Sequence, residues 1–198
     1  MSRNRLFALF APVLLLLTAC GINSVPRAQE EAKAKWATVQ AAFQRRANLI
    51  NNLVETVRAS AEAERGTLTD VTRARSEASR ITLSPDQLTD AGAMARYAQA
   101  QNQLSVPVLR QQMQEAYPEL RSQANFSTLM QQLEGNENRV EIAIRDYNEA
   151  VRAYNTEIRT FPSSIGARVI HGAQPMVPYE AVTPGAEVAP SVNFGNRQ

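Results

Sequence analysis

The chain has 198 residues, of which 44% are hydrophobic, 6% aromatic and 20% charged. That apolar share excludes a disordered body, and few aromatics beside abundant Ala, Gln, Glu and Arg leave little for strands and favour helix. The formal charge is +2, and loss of Arg3 and Arg5 with a leader takes the 21 basic residues to 19 against 19 acidic, so no basic patch points to nucleic acid.

Met1 to Arg5 is short and positive, Leu6 to Leu17 is apolar but for Pro12, and Thr18-Ala19-Cys20-Gly21 follows. A positive start, a short apolar run and small residues before a cut describe a secretory signal peptide over residues 1–19. The run is shorter than the roughly 20 apolar residues that span a hydrocarbon core. Leu17-Thr18-Ala19-Cys20 resembles a bacterial lipobox. The thiol is then the nucleophile that takes the lipid, and Cys20 becomes the acylated first residue of the mature chain. Burial of acyl chains supplies about 0.8 kcal/mol per CH2, and two or more chains hold a protein stably on a bilayer. Gly21 rather than Asp follows the cysteine. In a host with two membranes, lipobox precedent then points to the outer one, facing the periplasm.

Residues 20–25 form a very short tether, and Pro26 suits a helix start, where its missing N–H is no loss. Trp36, Phe43, Ile50 and Val57 recur every seven residues, with Ala47, Val54, Ala61 and Leu68 four residues behind them. This is one apolar stripe that needs partner helices. The apolar face continues to about residue 82, which unbroken makes a helix about 80 Å long. The sequence predicts a break near 48–52, where Asn48, Asn51 and Asn52 compete with the helix, or near Gly66.

Ser84 then caps a helix opened by Pro85, carrying Leu88, Ala91, Met94, Ala95, Ala98, Leu104, Val108 and Met113. Pro107 forces a restart with Ser105 as the new cap, and Tyr117-Pro118 ends the helix. From Ser122 to Phe161 the heptad series Phe126, Leu133, Val140, Tyr147, Tyr154 and Phe161 predicts one long helix, with Met130, Ile144, Val151 and Ile158 in the second seam. Only Glu137 interrupts that seam. The bundle therefore occupies residues 26–162. Residues 163–198 carry Pro175, Pro178, Pro184 and Pro190 and read as an extended tail, with an apolar turn at 163–170 and local docking by Tyr179 or Phe194. The fold class is all-α, a long antiparallel up-and-down bundle with an extended C-terminal tail.

Candidate chemistry is sparse. Cys20 is the only cysteine and His171 the only histidine, so neither an internal disulfide nor a Cys/His zinc site can form. Glu137 points into the core seam, where a charge needs a partner, and Arg46 lies three residues after Phe43 on the core side of the first helix. A Glu137–Arg46 pair, with Asn52 or Asn138 nearby, makes a buried polar layer that fixes helix register. The bland alternative turns Glu137 to the solvated rim. Tyr147-Asn148 and Tyr154-Asn155 could line a groove for an extended peptide, but their spacing matches the core series, which favours tyrosines whose hydroxyls reach the bundle edge. Glu62, Glu64, Asp70 and Glu77 alternate with Arg58, Arg65, Arg73 and Arg75. That is a solvated, ion-paired face and not a metal site, since it lacks the Glu-x-x-His pairs of di-metal bundles. No phosphate-cradling glycine loop and no nucleophile with a plausible base is found, so no enzyme activity, metal or cofactor is expected.

Arg46 to Val57, with the run Ala47-Asn48-Leu49-Ile50 and Asn52-Leu53-Val54-Glu55, resembles the signature of the bacterial LemA family. Ala116-Tyr117-Pro118-Glu119-Leu120, Asn125-Phe126, Leu133-Glu134-Gly135-Asn136-Glu137-Asn138-Arg139, Tyr147-Asn148, Tyr154-Asn155 and Phe161-Pro162-Ser163 continue the likeness in order over roughly residues 26–194. The resemblance implies an antiparallel four-helix bundle, membrane-attached, without a catalytic site established for the family as a whole. It points to membrane proteases or other membrane proteins as partners. The chain departs from the pattern at Asn51, where proline is usual, at Pro107, and in carrying a lipobox cysteine in place of a longer N-terminal span. The expected function is a lipid-anchored envelope interaction protein. The alternative is a module that holds an apolar ligand or peptide between helices, marked by a cavity near Asn51 and Pro107.

Overall fold

The computed structural model describes the backbone of residues 3–60 and 65–180, and the side chains of 23–59, 67–120 and 123–180. The described chain is helical without strands. Helix α1 (Arg3–Ser60) is the axis of the fold. It buries Ala32, Trp36, Val39, Phe43, Arg46, Ile50, Leu53 and Val57. These residues alternate spacings of four and three, the seam that inserts knobs into holes of neighbouring helices.

Two expectations for α1 are corrected. The helix does not break at 48–52. Asn48 and Asn52 lie on the exposed face, and the Asn48 side chain accepts from Gln44 Nε2 at 3.2 Å instead of competing for backbone. Ile50 and Leu53 beside them are fully buried, and packing of that face outweighs weak local propensity. Nor does the helix start at Pro26, which lies in its interior. Ser24 Oγ already donates to Glu157 Oε1 at 2.6 Å and Val25 is buried, so the expected tether is packed helix from Ser24 onward.

Helix α2 (Arg65–Arg80) returns antiparallel to α1. Leu68 and Val71 join Val54 and Val57 in one apolar cluster. At the far end the Leu83 carbonyl accepts from Trp36 Nε1 at 3.3 Å and Gln40 Nε2 at 3.1 Å. The stretch read as one helix is thus two elements, α1 ending at Ser60 and α2 opening at Arg65 beside Gly66, in line with the second of the two expected break points.

Pro85–Thr89 is a short 3-10 turn capped by Ser84, not the first turn of an α-helix. Asp90 takes over as the cap, accepting from the Ala93 amide at 3.0 Å, and α3 (Ala91–Asn102) starts there. Helix α4 (Val106–Ala116) restarts after Ser105 with Pro107 in its first turn, where a missing N–H costs nothing. Tyr117 leaves the helical region ahead of Pro118. Together α3 and α4 form the third rod of the bundle.

Helix α5 (Ala124–Glu157) is the fourth rod and runs antiparallel to α1. It buries Phe126, Leu133, Val140, Tyr147 and Tyr154. The expected last member of that series, Phe161, is 74% exposed. The helix ends four residues before it, where Ser163 Oγ donates to the carbonyls of Glu157 at 2.7 Å and Thr160 at 2.9 Å, so the heptad register no longer applies.

The chain then forms α6 (Ser163–Val169), which packs Gly166 and Ala167 inward near α1. The apolar turn expected at 163–170 is thus a short helix packed against the bundle, ahead of the extended segment. Gly172, at φ +54°, supplies the left-handed turn that sends the chain back along the bundle. Residues 173–180 run extended over α5 as a strap. Pro184, Pro190 and Phe194 lie outside the described residues, as does the Cys20 side chain.

Candidate functional site

Two polar arrangements interrupt the apolar core. The first surrounds Arg46, the only charged member of the α1 seam, which is 2% exposed. Its Nη1 donates to Glu137 Oε2 at 3.3 Å and Oε1 at 3.4 Å. Its Nη2 donates to the Gln101 carbonyl at 2.7 Å and to Gln101 Oε1 at 2.9 Å. The guanidinium lies over the Phe43 ring, 4.8 Å from its centre, and so gains a cation–π contact. The Glu137 side chain keeps 22% of its surface exposed, so it is neither fully buried nor at the rim.

The two polar neighbours are not Asn52 and Asn138, which are both exposed. They are Gln101 and Asn136, which are both buried. Asn136 Nδ2 donates to the Ala42 carbonyl at 3.2 Å. A signal for each was present. Gln101 stands seven residues after Met94, and Asn136 one heptad before the buried Ala143 and two before the buried Ala150, so each is a polar residue in an apolar series. Arg46 Nε and Asn136 Oδ1 are buried without a protein partner.

The second arrangement joins α5 to the strap. Asn155 Nδ2 donates to the Met176 carbonyl at 2.8 Å while its Oδ1 accepts from the Met176 amide at 2.9 Å. Asn148 repeats this on Tyr179, at 2.9 Å and 2.8 Å. Tyr154 donates its hydroxyl to the Gln174 carbonyl at 3.1 Å, and Tyr147 to the Val177 carbonyl at 2.9 Å. From the other side the Leu88 carbonyl accepts the Val177 amide at 2.8 Å. Every one of these contacts is to strap backbone.

The periods of the two elements explain the fit. Seven residues of α-helix rise about 10.5 Å. Three residues of extended, proline-containing chain advance about 9–10 Å. The Tyr-Asn pair repeats every seven residues on α5, and the backbone groups it grips repeat every three on the strap. Pro175 and Pro178 carry no N–H, and the residue after each supplies the amide that an asparagine takes. Tyr147 and Tyr154 are thus both core residues and groove residues. Of the two readings the sequence offered, the structure bears out core tyrosines whose hydroxyls reach the bundle edge, and the extended segment they hold is the chain's own.

The strap also closes the core. Tyr179 is 3% exposed, and its ring centre lies 5.8 Å from Phe43 and 6.5 Å from Trp36. Trp36 meets Tyr97 at 5.4 Å and Tyr147 at 5.0 Å. Burial pushes the Tyr97 hydroxyl up to about 12, against the pull of the Arg46 charge. Burial likewise raises Tyr147 and Tyr179. A tyrosine in the unfolded chain ionises near its ordinary value of 10.0, so the unfolded state loses these protons first. The stability they support is complete below pH 10 and falls as pH rises from 10 toward 12 and beyond. In an ultraviolet titration, tyrosinate from these residues should therefore appear together with loss of helix signal above pH 10. Full ionisation with helix content intact contradicts this assignment.

Elsewhere the surface is plain. An open groove of about 630 Å³ lies beside Pro107 between α4 and α5, crossed by an Arg110–Glu134 ion pair. Gln111, Gln114, Glu115, Glu137 and Asn138 also line it beside Val106, so it is an open groove of mixed lining and not the enclosed apolar cavity that would hold an apolar ligand. Asp70 pairs with Arg73 at 3.1 Å, while Glu62 and Glu64 lie outside the described residues. Among the described residues no three of His, Cys, Asp and Glu gather as a metal site, and no helix is long and apolar enough to cross a membrane.

These features define a class of protein: an all-α antiparallel bundle whose first and last long helices share a polar layer and whose C-terminal segment is strapped into a heptad groove. The LemA family model matches residues 35–194, and the chain belongs to the LemA family. Among curated proteins no relative matches the sequence.

Proposed function

We propose that this LemA-family chain is a lipid-anchored protein of the bacterial cell envelope that acts through protein contacts and not through catalysis. The observation that carries the reading is the way α5 already holds a polypeptide. Its Tyr-Asn pairs grip six backbone groups of residues 174–179 of the same chain, a way of holding extended polypeptide through backbone alone that supports a role in protein contacts. The lipobox-like Leu17-Thr18-Ala19-Cys20 supplies the anchor, and an outer membrane facing the periplasm is the expected site in a two-membrane host. The partners are other envelope proteins, membrane proteases among them.

The same observation favours one form of the alternative, a peptide-binding module, over an apolar-ligand module. A proline-containing extended segment is a low-entropy ligand for an aromatic-lined groove. The first experiment is palmitate labelling of wild type beside Cys20→Ala, with fractionation of both. Label in the wild type alone, with release or failed processing of the variant, is the expected result. Identical behaviour of both forms without label removes the lipid anchor from the reading.

A further inference from the structure

Among the described residues, six large apolar side chains are exposed. Four of them fall within the ten residues 161–170: Phe161 at 74%, Ile165 at 49%, Val169 at 79% and Ile170 at 57%. Ile165 and Val169 stand one turn apart on the outer face of α6, opposite its buried Gly166 and Ala167. Arg159 and Arg168 are exposed beside them. Scattered exposed apolar residues need no explanation, but a concentrated patch does.

The place of this patch in the fold points to what covers it. Helix α5 descends along α1 until Glu157 meets Ser24 at 2.6 Å. The turn and α6 follow at that end, with Ala167 in the same apolar cluster as Val25 and Ala32. Position 20 precedes Ser24 by four residues of continuous helix, about 6 Å along the axis. Immediately before it comes the apolar run Leu6–Leu17. On the membrane-anchored reading, whether residues 1–19 are cut and Cys20 acylated or the run is retained as an anchor, the membrane lies at this end of the bundle. An amphipathic surface helix buries its apolar face about 5–10 Å into the headgroup boundary. Ser24 lies about 6 Å from residue 20 along the axis, inside that depth, and the patch begins four residues beyond its partner Glu157, at the same end of the bundle.

We propose that the outer face of α6 docks on the lipid surface. Phe161, Ile165, Val169 and Ile170 enter the interface, and Arg159 and Arg168 face anionic headgroups. The anchor then fixes the bundle's orientation as well as its location, because a second contact prevents it from swinging about residue 20. This inference rests on the membrane-anchored reading.

The test uses the full-length acylated protein in vesicles of phosphatidylcholine and phosphatidylglycerol, with or without brominated acyl chains. Trp36, buried in the bundle core, gives a constant background. Val169→Trp places a second indole on α6, and Ile142→Trp places one on an exposed site of α5 about 22 Å along the helix axis from Glu157. Bromination is expected to quench the Val169→Trp protein at least twofold more than the wild type, and to leave the Ile142→Trp protein like the wild type. Equal emission of the Val169→Trp protein in both vesicles, with the protein still pelleting with lipid, overturns the docking and leaves the anchor in place. Shielding of the Val169→Trp indole from aqueous iodide in native membranes, with no bromine quenching in these vesicles, assigns the patch to a protein partner and also overturns it. Failure of the wild type to pellet with lipid overturns both readings.

Discussion

Replacing Asn148 and Asn155 together by alanine releases residues 173–180 from α5 and leaves the long helices folded. Each asparagine makes two hydrogen bonds to strap backbone, so the double variant loses four. At about 1 kcal/mol net for each, the strap's local opening becomes easier by roughly 3–4 kcal/mol, or about 10² to 10³-fold. Burial of Met176 and Tyr179 opposes release but cannot replace those bonds, and water satisfies the freed strap backbone once it lifts. The seams of α1 and α5 hold the helices together without the strap. The measurement is hydrogen exchange at the Met176 and Tyr179 amides, read against amides in the middle of α5. Wild-type protection at both strap amides in the double variant would show that side-chain burial, and not the asparagine brackets, holds the strap. Asn155→Asp separates the two halves of a bracket. It keeps the acceptor for the Met176 amide and sets a carboxylate oxygen against the Met176 carbonyl, so it should loosen the strap more than Tyr154→Phe, which removes one bond.

The heptads were legible because they are a local repeat imposed by a single surface. The seams through Trp36–Val57 and Phe126–Tyr154, the restart at Pro107 and the stop at Tyr117-Pro118 all follow from residues within two turns of one another. Phe161 misled for an instructive reason. Its spacing continues the series, but periodicity does not carry the position at which a helix stops, and Ser163 had already taken the carbonyls of the last turn. The asparagines at 48–52 misled in the opposite direction, since local propensity is a weak prior against a buried face. The strap could not be found in full from sequence. Its partners lie 20 to 31 residues back on α5, and an extended segment with prolines has no amphipathic period of its own. Only the recurrence of Tyr-Asn at seven residues signalled that something there was being held. The Arg46–Glu137 contact was within reach of sequence because each residue occupies an apolar position in its own helix. Its neighbours Gln101 and Asn136 satisfy the same criterion.

Arg46→Met should be the most destabilising conservative change in the polar layer, costing about 3–5 kcal/mol of unfolding free energy. Methionine fills much of the aliphatic volume, so the loss isolates the guanidinium. That group donates its two shortest bonds, 2.7 and 2.9 Å, to Gln101, which is only 6% exposed. Without it, the buried Gln101 amide oxygen loses its donor, the Gln101 carbonyl loses its shortest bond and keeps the Leu104 amide at 3.1 Å, and Phe43 loses its cation. The Glu137 contacts are longer, 3.3 and 3.4 Å, and its side chain retains 22% of its surface to water. Glu137→Gln keeps an acceptor in place and should cost about 1–2 kcal/mol, since only the charge is withdrawn from a site that water still reaches. Chemical denaturation of Arg46→Met, Glu137→Leu and the double variant gives the coupling between the pair. If the layer acts as a unit, the double variant is more stable than the sum of the singles predicts by at least about 1 kcal/mol, because removing both charges leaves neither one stranded. Strict additivity would mean that Arg46 is held by Gln101 and Phe43 alone, and that Glu137 has no part in fixing how α5 sits against α1.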